Sequence, residues 1–389
     1  MDILYMGYYC NEDLFNKLVE CGSQSSHARQ QFERKLLDGI CQNMKGHSFK
    51  MVSYLPLVNA QFVEKEGEDY KGYPITFLWC KKSVTDILHC IRQNKKYIKE
   101  WAKNAGEDKI ILTYSANPLH CIPAMRLRKK YGYKIVTISS EISIHRRKAK
   151  NNPLTWIKTK ITYFLENNFD GYVLLSKYMG ELVNKKNKPY TVVEGFGEVL
   201  NRLEMSEKKR KKAMLYAGGL SEDNGIHMLV EGFKQFDNSE WELWICGAGE
   251  LEEYIKEQAE NDLRIKYYGV LPNTEVQKME FEASFLINPR FSEGEYTKYS
   301  FPSKTLEYMS TGTPTIITRL KGIPDEYFQY VIVLEDETAE GITKLLKEFE
   351  ETTYEVYEIK AQNAIKNVIE NKTPRVQGEK ILRFLEKVI

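Results

Sequence analysis

Residues 300–314, SFPSKTLEYMSTGTP, predict a loop that turns at a proline and leads into a short helix. Ser303 is the predicted N-cap, because a serine oxygen there can accept a hydrogen bond from a first-turn N–H group. The start of a helix attracts anions, and Lys304 would add a full positive charge beside it. Glu307 follows within about one turn, where its carboxylate can accept hydrogen bonds from a vicinal diol.

This helix has two interpretations at the level of sequence. A phosphate-binding helix end next to a diol-binding carboxylate is what a nucleoside diphosphate needs. A capped helix whose lysine and glutamate face solvent would have the same sequence. In both cases Gly312 and Pro314 end the helix, and residues 315–317 begin a new strand.

The composition of the 389-residue chain predicts a globular protein with two domains. Apolar residues make up 42% and charged residues 28%, which is typical of a folded chain. The net charge of +2 gives no general preference for nucleic acid. The sequence has no apolar run of about 18 residues and no basic segment before an apolar stretch at its start. We therefore expect neither a membrane span nor a signal peptide, and a cytoplasmic location.

The cysteines and histidines give no indication of a metal site. The seven cysteines include no Cys-x-x-Cys pair, and the six histidines include no His-Glu-x-x-His arrangement. The first pattern fits reduced thiols in a cytoplasmic protein, and both lack the ligand spacing of common zinc sites. We expect no metal and no other cofactor.

Strand and helix patterns alternate along the whole chain, which predicts an α/β protein with mostly parallel sheets. The clearest predicted helices of the first half cover 28–44, 85–104 and 123–131. The clearest predicted strands cover 3–6, 110–114, 134–139 and 171–175, and in the second half 214–217, 241–246, 265–269, 283–288, 315–318 and 331–334.

The second half thus restarts the pattern of the first. We predict two Rossmann-like, doubly wound domains, 1–197 and 198–374, that face each other across a cleft. A C-terminal helix, about 375–389, carries apolar residues at helical spacing and is expected to pack back on the first domain.

Four glycine- or proline-containing segments precede the 300–314 stretch: 216–220 (YAGGL), 245–250 (ICGAGE), 268–272 (YGVLP) and 286–290 (LINPR). In this order and spacing they resemble the family 4 glycosyltransferases of the GT-B fold, most closely a branch found among capsule and exopolysaccharide enzymes. The resemblance is strong from about residue 214 to 327 and weaker over the first domain. It implies a metal-independent transfer with retention of anomeric configuration.

Several of these residues also have a simple physical interpretation. Gly218 and Gly219 lack a Cβ, so a pyrophosphate can approach the backbone closely. The turn that contains Gly247 lacks the third glycine of a dinucleotide-binding fingerprint. Gly247 therefore suits a structural turn as well as a ligand loop. Arg290, at a predicted strand end, can hold a phosphate or pair with an acidic neighbour. With the resemblance, the predicted donor-binding residues are Gly218, Gly219, Gly247, Val270, Arg290, Tyr299, Ser303, Lys304 and Glu307.

The sequence departs from the family pattern at two places. Family members usually carry two glutamates eight positions apart; Glu307 matches the second, which binds the ribose, but Tyr299 stands at the first, which touches the transferred sugar. Many members also have an arginine and a lysine in the first loop, where this chain has Gly219 and Asn224. Diphosphate neutralisation is therefore assigned to Lys304, to Arg290 and to the predicted helix N-terminus.

The first domain is expected to bind the acceptor. Residues 22–26 (GSQSS) resemble the family loop that faces the donor phosphates, although they also suit a plain helix cap. Glu141 falls where members often hold an aspartate or histidine near the acceptor. It is the predicted catalytic residue, able to orient or deprotonate a hydroxyl, with a surface charge as the alternative.

A basic stretch, 146–160, contains Trp156 and no acidic residue. Its cations are Arg146, Arg147, Lys148, Lys150, Lys158 and Lys160. Such a stretch suits an anionic membrane surface, which would bring the protein to a lipid-diphosphate-linked acceptor. A solvated loop and helix would look the same. Nucleic acid is not an expected partner, because the rest of the chain is not basic enough.

The sequence therefore predicts a cytoplasmic, membrane-peripheral, retaining glycosyltransferase of surface polysaccharide biosynthesis. Its predicted substrates are a nucleotide sugar and a glycan or lipid-linked acceptor. One alternative is a sugar-nucleotide epimerase of the same fold, which changes the donor without an acceptor. The other is a non-catalytic nucleotide-sugar-binding partner of a polysaccharide assembly complex. The tyrosine at 299, in place of a glutamate, is the feature that favours this alternative.

Overall fold

The structure, a computed structural model, describes residues 1–23, 26–56, 68–80, 84–140, 153–199 and 210–389. The chain divides into two compact units. The first comprises Met1–Gly195 together with Pro374–Ile389, and the second comprises Phe196–Thr373.

The described part of the first unit is built on an eight-stranded sheet. The strand order is β3-β4-β2-β1-β5-β6-β7-β8, and every neighbouring pair is parallel except β3 with β4. The strands are β1 (Asp2–Gly7), β2 (Ser48–Pro56), β3 (Glu68–Tyr70), β4 (Tyr73–Cys80), β5 (Lys109–Tyr114), β6 (Lys134–Ser139), β7 (Gly171–Leu174) and β8 (Tyr190–Val192). The helices are α1 (Glu12–Glu20), α2 (His27–Gln42), α3 (Val84–Asn104), α4 (Pro118–Tyr131), α5 (Pro153–Glu166) and α6 (Met179–Val183).

Helix α4 begins earlier than its sequence predicted. The predicted start was residue 123, a proline, and proline is a residue that favours the first position of a helix. The helix instead starts at Pro118, where the side chain of Asn117 accepts a hydrogen bond from the Leu119 N–H group, and Pro123 lies inside it. Both Pro118 and Pro123 suit the first position of a helix, and the helix starts at Pro118 because an N-cap residue precedes it.

The second unit has a six-stranded sheet among its described residues, with order β11-β10-β9-β12-β13-β14 and all pairs parallel. The strands are β9 (Lys211–Ala217), β10 (Glu242–Cys246), β11 (Ile265–Tyr267), β12 (Ala283–Asn288), β13 (Thr315–Thr318) and β14 (Ile332–Leu334). The helices are α7 (Ile226–Lys234), α8 (Glu252–Asn261), α9 (Asn273–Glu282), α10 (Ser303–Thr311), α11 (Ala339–Glu351) and α12 (Tyr354–Asn371).

The last helix, α13 (Pro374–Val388), belongs to the first unit and packs on α2. The two helices meet at Gly39 and Gly378, where an added Cβ on Gly39 would lie 3.3 Å from the Gly378 Cα and 2.0 Å from the Pro374 carbonyl oxygen. Further along α13, Phe384 and Val388 contact the start of β7 at Gly171. The helix therefore buries its apolar face against this unit.

Both sheets reverse their strand order once. In the second unit β9 pairs with β10 on one side and with β12 on the other. In the first unit β1 pairs with β2 on one side and with β5 on the other. In open parallel sheets, ligands bind beyond the carboxyl ends of the strands at such a reversal. Each unit therefore has one edge where a ligand site is expected.

The predicted fold class is confirmed, since both units are α/β structures with essentially parallel sheets. The strands are apolar and buried, as both faces of a parallel sheet are covered by helices; in β1, for example, Ile3, Leu4 and Met6 are fully buried. Among the described helices, none combines the length and the apolar character needed to cross a membrane.

Candidate functional site

The loops that follow β9, β10 and β11 are tied together at the carboxyl edge of the second sheet. The Gly218 N–H group donates to the Cys246 carbonyl at 3.0 Å, and the Gly247 N–H group donates to the Gly269 carbonyl at 2.8 Å. Gly247 has a φ of +131°, and an added Cβ would lie 1.8 Å from the Gly218 carbonyl oxygen. This geometry favours the structural interpretation of Gly247, because only glycine lets the two loops approach so closely.

Gly219 differs from Gly247, because its Cα faces open space. An added Cβ there would meet only the Asn224 Nδ2 atom, at 3.5 Å. The loop is held through its carbonyl group, because the Asn224 amide and the Tyr216 hydroxyl each donate to the Gly219 carbonyl oxygen at 2.8 Å. The turn is thus fixed while its open side can receive a ligand.

Arg290 follows β12, the strand on the other side of the reversal. Its guanidinium carbon lies 5.1 Å from the centre of the Tyr296 ring. Burial raises the pKa of Tyr216, and the positive charge of Arg290 opposes that shift, so the guanidinium lies near the loop after β9. The Arg290 Nε atom is buried and has no hydrogen-bond partner among the described residues, nor does the side chain form an ion pair with any described carboxylate.

A buried N–H group without a partner costs free energy, and this one belongs to a cation. An anion beside Arg290 would supply both the missing acceptor and the missing negative charge. The alternative interpretation of Arg290, pairing with an acidic neighbour, is not seen in the part of the chain that the structure describes.

Helix α10 starts one residue earlier than the predicted cap at Ser303 would require. Ser303 is the first helical residue, and the N-cap position is held by Pro302, which has an extended backbone. The prediction of Ser303 as N-cap is therefore wrong, because the chain leaves its extended conformation at the proline. No described side chain caps this helix end, so its first N–H groups can receive an anion. The Ser300 hydroxyl, just before it, is also buried with no partner among the described residues.

Lys304 contacts two carboxylates. Its Nζ atom lies 2.9 Å from Glu307 Oε1 and 3.6 Å from Glu280 Oε1. The Glu280 side chain, on α9, is only 1% exposed, whereas that of Lys304 is 29% exposed. Burial acts to lower the pKa of Lys304, but Glu307 and Glu280 outweigh it and the pKa is raised. The lysine therefore stays charged, and the three side chains together carry one net negative charge when both carboxyl groups are ionised.

These contacts change which residues we expect to neutralise the diphosphate. A phosphate that approaches Lys304 must compete with two carboxylates, so Arg290 and the start of α10 are better placed to neutralise a diphosphate. The ion pair with Lys304 also fixes Glu307, whose Oε2 atom receives no hydrogen bond from the described residues. An oriented carboxylate with one free oxygen can accept hydrogen bonds from a diol.

Tyr308 ties α10 to the end of β9. Its hydroxyl accepts a hydrogen bond from the Ala217 N–H group at 3.0 Å and lies 3.4 Å from the Ala217 carbonyl oxygen. The ring is fully buried. The start of α10 and the Gly218–Gly219 turn are thereby held together by one buried side chain.

The remaining predicted donor residues fall into two groups. Val270 follows β11 and is exposed at the same edge of the sheet. Tyr299 is largely buried at the end of a 3-10 turn (Glu295–Tyr299), with Lys298 Nζ 5.0 Å from its ring. The edge of the second sheet therefore collects Gly218, Gly219, Val270, Arg290, Lys304 and Glu307, and Tyr299 lies mainly within the packing behind it.

Several predicted residues of the first unit lie outside the described residues. These are the predicted catalytic Glu141, the basic residues 146–150 and part of the 22–26 loop. Nothing in the structure bears on them.

The described residues of the first unit do show a polar cluster where its sheet reverses, and sequence reasoning missed it. Tyr8, after β1, accepts a hydrogen bond from the Asn117 amide, after β5. His120 is fully buried, with its ring centre 6.2 Å from that of Tyr8 and 5.1 Å from that of Tyr54. Asn117 was detectable as a polar residue after a strand, but no local signal separates His120 from an ordinary helical position.

Glu33, on α2, lies next to this cluster and forms hydrogen bonds with it. Its Oε2 atom accepts hydrogen bonds from the Tyr5 hydroxyl at 2.6 Å and from the Tyr8 N–H group at 2.8 Å. Its Oε1 atom is buried without a partner among the described residues. Burial raises the pKa of Glu33 to about 7, although both hydrogen bonds and the charge of Arg29 act in the opposite direction.

Residues 211–348 match a family model described as glycosyl transferases group 1. This segment contains all six strands of the second sheet and every predicted donor residue. Among curated proteins, none matches the sequence significantly.

Solved structures of glycosyltransferases resemble the whole chain. A sucrose-phosphate synthase from Thermosynechococcus elongatus superposes with a TM-score of 0.67 at 13% identity. A lipopolysaccharide outer core galactosyltransferase gives 0.63 at 13% identity, and the Anabaena protein HepE in complex with UDP gives 0.62 at 11% identity. In each case the match covers 100% of both chains.

These likenesses confirm the predicted GT-B fold, since identities this low inform on fold alone. The family model confirms the prediction of a glycosyltransferase for residues 211–348, the segment that it matches. The assignment to family 4 and to a capsule branch is finer than either comparison, and stays a prediction.

Proposed function

We propose that this chain transfers a sugar from a nucleotide sugar, with retention of configuration, to a glycan or lipid-linked acceptor. The observation that carries the donor half is the coincidence of an open glycine turn and an unpartnered buried arginine nitrogen at the strand-order reversal of the second sheet. Ligands of open parallel sheets bind at that position.

In the proposed complex the diphosphate lies between Gly219, Arg290 and the first N–H groups of α10. Glu307, held by Lys304, receives the ribose hydroxyls. As the glycosidic bond breaks, negative charge grows on the leaving diphosphate, and fixed cations and N–H groups stabilise it. These groups make a bridging metal unnecessary, so we propose that the reaction continues in the presence of a chelator.

The nucleobase is proposed to lie near Val270, which is exposed at the end of β11. Structures of HepE are known with UDP and with UDP-glucose, so uracil is the first base to test. The acceptor is proposed to bind the first unit, with Glu141 orienting or deprotonating its hydroxyl. The role in surface polysaccharide synthesis is supported by the sequence resemblance and by the likeness to a lipopolysaccharide galactosyltransferase. The proposed cytoplasmic location is supported by the cysteine pattern of the sequence.

A non-catalytic nucleotide-sugar-binding protein is a second candidate. It is favoured by Tyr299, which is not acidic and is largely buried where family members carry the glutamate that touches the transferred sugar. Such a protein would bind the donor at the same edge without transferring its sugar.

Calorimetry with UDP and UDP-glucose, followed by a transfer assay, tests these functions. Arg290→Ala and Glu307→Gln should each weaken UDP binding at least about tenfold, the scale of a lost hydrogen bond to a charged group. Arg383→Ala is the matched control, because this exposed arginine pairs with Glu379 on α13, which belongs to the other unit. Unchanged affinity in both site variants would refute the donor site.

The transfer assay then separates the candidates. Release of UDP that requires an acceptor extract supports the transferase, and binding without release supports the non-catalytic protein. A changed sugar on the donor in the absence of acceptor would identify an epimerase.

A further inference from the structure

Helix α5 exposes an apolar stripe that the donor site does not use. Ile157, Ile161 and Phe164 are exposed and stand at helical spacing together with Lys160, so they share one face. Trp156 lies beside this face and is 58% exposed; Phe164 is 62% exposed. A helix of a soluble protein normally turns such a stripe towards the core.

The neighbouring helix α4 continues this apolar face. A groove of about 400 Å³ lies between the two helices and is lined by Ile122, Met125, Arg126, Lys160, Ile161, Phe164 and Leu165. On α4, Ile122, Met125, Arg126 and Lys129 recur at helical spacing, so two apolar and two cationic side chains share one stripe. The apolar surface is therefore rimmed by positive charge on both helices.

The sequence around this face is strongly basic. Residues 109–165 contain twelve lysines and arginines and one acidic residue, Glu141. Lys160 Nζ lies 3.9 Å from the centre of the Trp156 ring, so its charge stands next to the exposed indole. The whole chain, in contrast, has a net charge of only +2. Among the described residues, Arg126 and Lys160 bring positive charge next to the exposed apolar side chains.

We propose that α5 and the adjoining stripe of α4 form a membrane-binding face that inserts its apolar side chains into the interfacial region of an anionic bilayer. Trp156 and Phe164 would lie at the level of the headgroups, as amphipathic and aromatic side chains do, while Lys160 and Arg126 would contact lipid phosphates. A second copy of this chain is disfavoured as the occupant, because a symmetric contact would set two positive faces against each other.

The prediction of membrane contact by residues 146–160 rested on a basic stretch that contains one aromatic residue, Trp156. The structure adds a shaped apolar surface and moves its centre to residues 156–164. The use that we propose for this surface is to bring the enzyme to a lipid-linked acceptor, and only this use rests on the proposed function. Binding to lipid itself does not.

Vesicle co-sedimentation of the full chain tests the proposal. The probes are vesicles of phosphatidylcholine alone and vesicles with about one third phosphatidylglycerol, at low and high salt. We expect binding only to the anionic vesicles, with loss at high salt. The fluorescence of Trp156 should shift to the blue on binding, and Trp156→Phe should abolish that shift while the protein still sediments.

Paired variants separate the two contributions. Trp156→Ser with Phe164→Ser should weaken binding at least about tenfold, since two apolar rings are lost from the interface. Lys160→Glu with Arg126→Glu should weaken it by at least about tenfold, on the scale expected for each charge near an anionic surface. The matched control is Leu263→Ser with Ile359→Ser, which removes two exposed apolar side chains elsewhere and should leave binding unchanged.

Retained UDP affinity in every variant would show that the fold and the donor site are intact, so a failure here is distinguishable from a failure of the proposed function. Equal binding of the serine pair and the wild type would overturn the proposal, as would equal binding to neutral vesicles. A dimer in solution that the serine pair dissociates would also overturn it, with a second copy as the occupant.

Discussion

The single positive charge of Lys304 lies beside two carboxylates, Glu307 on its own helix and Glu280 on α9. The first pair follows from spacing, because residues three apart on a helix are neighbours. The second depends on tertiary packing that brings α9 beside α10. We therefore expect the buried Glu280, which was not among the predicted residues, to tune the anion affinity of the site.

Replacing Glu280 by glutamine is expected to strengthen binding of UDP. The change removes one negative charge 3.6 Å from Lys304 and leaves the Glu307 pair in place. We expect a gain of about 1 kcal/mol, roughly fivefold in affinity, measured by calorimetry. Glu282→Gln, on the same helix but paired with Lys211, is the control and should have no effect. Weaker binding in Glu280→Gln would show that this carboxylate orients Lys304 instead of opposing the ligand.

Glu33 makes the stability of the first unit depend on pH. Its pKa is about 7 in the folded chain against 4.5 as its ordinary value. Between these values the folded state holds a proton that the unfolded state has released. Stability is therefore expected to fall as pH rises from about 4.5 to about 7, by at most about 3 kcal/mol.

Glu33→Gln should remove this contribution, because glutamine imitates the protonated carboxyl group and can still accept the hydrogen bonds from Tyr5 and Tyr8. The measurement is the thermal unfolding midpoint of the first unit at several pH values between 4.5 and 7. A wild-type midpoint that rises with pH, or one that falls equally in the variant, would contradict this assignment.

At the scale of elements, the loops beyond β9 and β10 form one packed edge. Hydrogen bonds from Gly218 and Gly247 join neighbouring loops, and Tyr308 joins the first of them to α10. The two kinds of glycine have different tasks in this edge. Gly247 permits the loops to pack, whereas Gly219 leaves room above the turn.

A pair of alanine variants separates these tasks. Gly247→Ala should destabilise the second unit by about 1–3 kcal/mol, because φ is +131° and the new Cβ would meet the Gly218 carbonyl. Gly219→Ala should leave the unfolding midpoint nearly unchanged, since its Cβ meets no backbone atom, and should weaken UDP binding instead. Calorimetric unfolding and UDP titration of both variants check this. Similar effects of the two changes on stability would reject the distinction.

The sequence predicted the buried strands well and the edges of the site less well. β6 and β12 have the predicted limits, because each has a mainly apolar centre in which the only polar residue is a small hydroxyl residue, Thr137 or Ser284. β2 and β4 were not among the clearest predicted strands. In β2 polar residues such as Lys50 and Ser53 interrupt the apolar run, although the strand lies inside the sheet.

The site was predictable where it depends on local sequence. Lys304 and Glu307 are one helical turn apart, and Gly218, Gly219 and Arg290 follow strands whose carboxyl ends share an edge. Glu280, His120 and Glu33 act through contacts between separate elements, which no short pattern encodes. The misplaced cap at Ser303 is a further case, because a proline followed by a serine offers two possible helix starts.

At the scale of the whole molecule, each unit has one reversal of strand order and hence one expected ligand edge. The second unit carries the open glycine turn and Arg290, and the first carries the Tyr8, Asn117 and His120 cluster. The basic apolar face of α4 and α5 also belongs to the first unit. This placement supports the proposal that donor chemistry belongs to the second unit, and acceptor and lipid contacts to the first.

Hydrogen exchange of the full chain with and without UDP tests this assignment. A ligand at about one hundred times its Kd stabilises the state that binds it by about 2.7 kcal/mol. Exchange should therefore slow in residues 217–220, 288–291 and 303–308, where the turn, Arg290 and the start of α10 meet. The loops after β1 and β5 should exchange at the same rate with and without UDP. Glu307→Gln, under the same UDP concentration, should show weaker protection at all three segments, because less of the protein is bound. Protection confined to the first unit would place the nucleotide at the wrong reversal and reject the donor site.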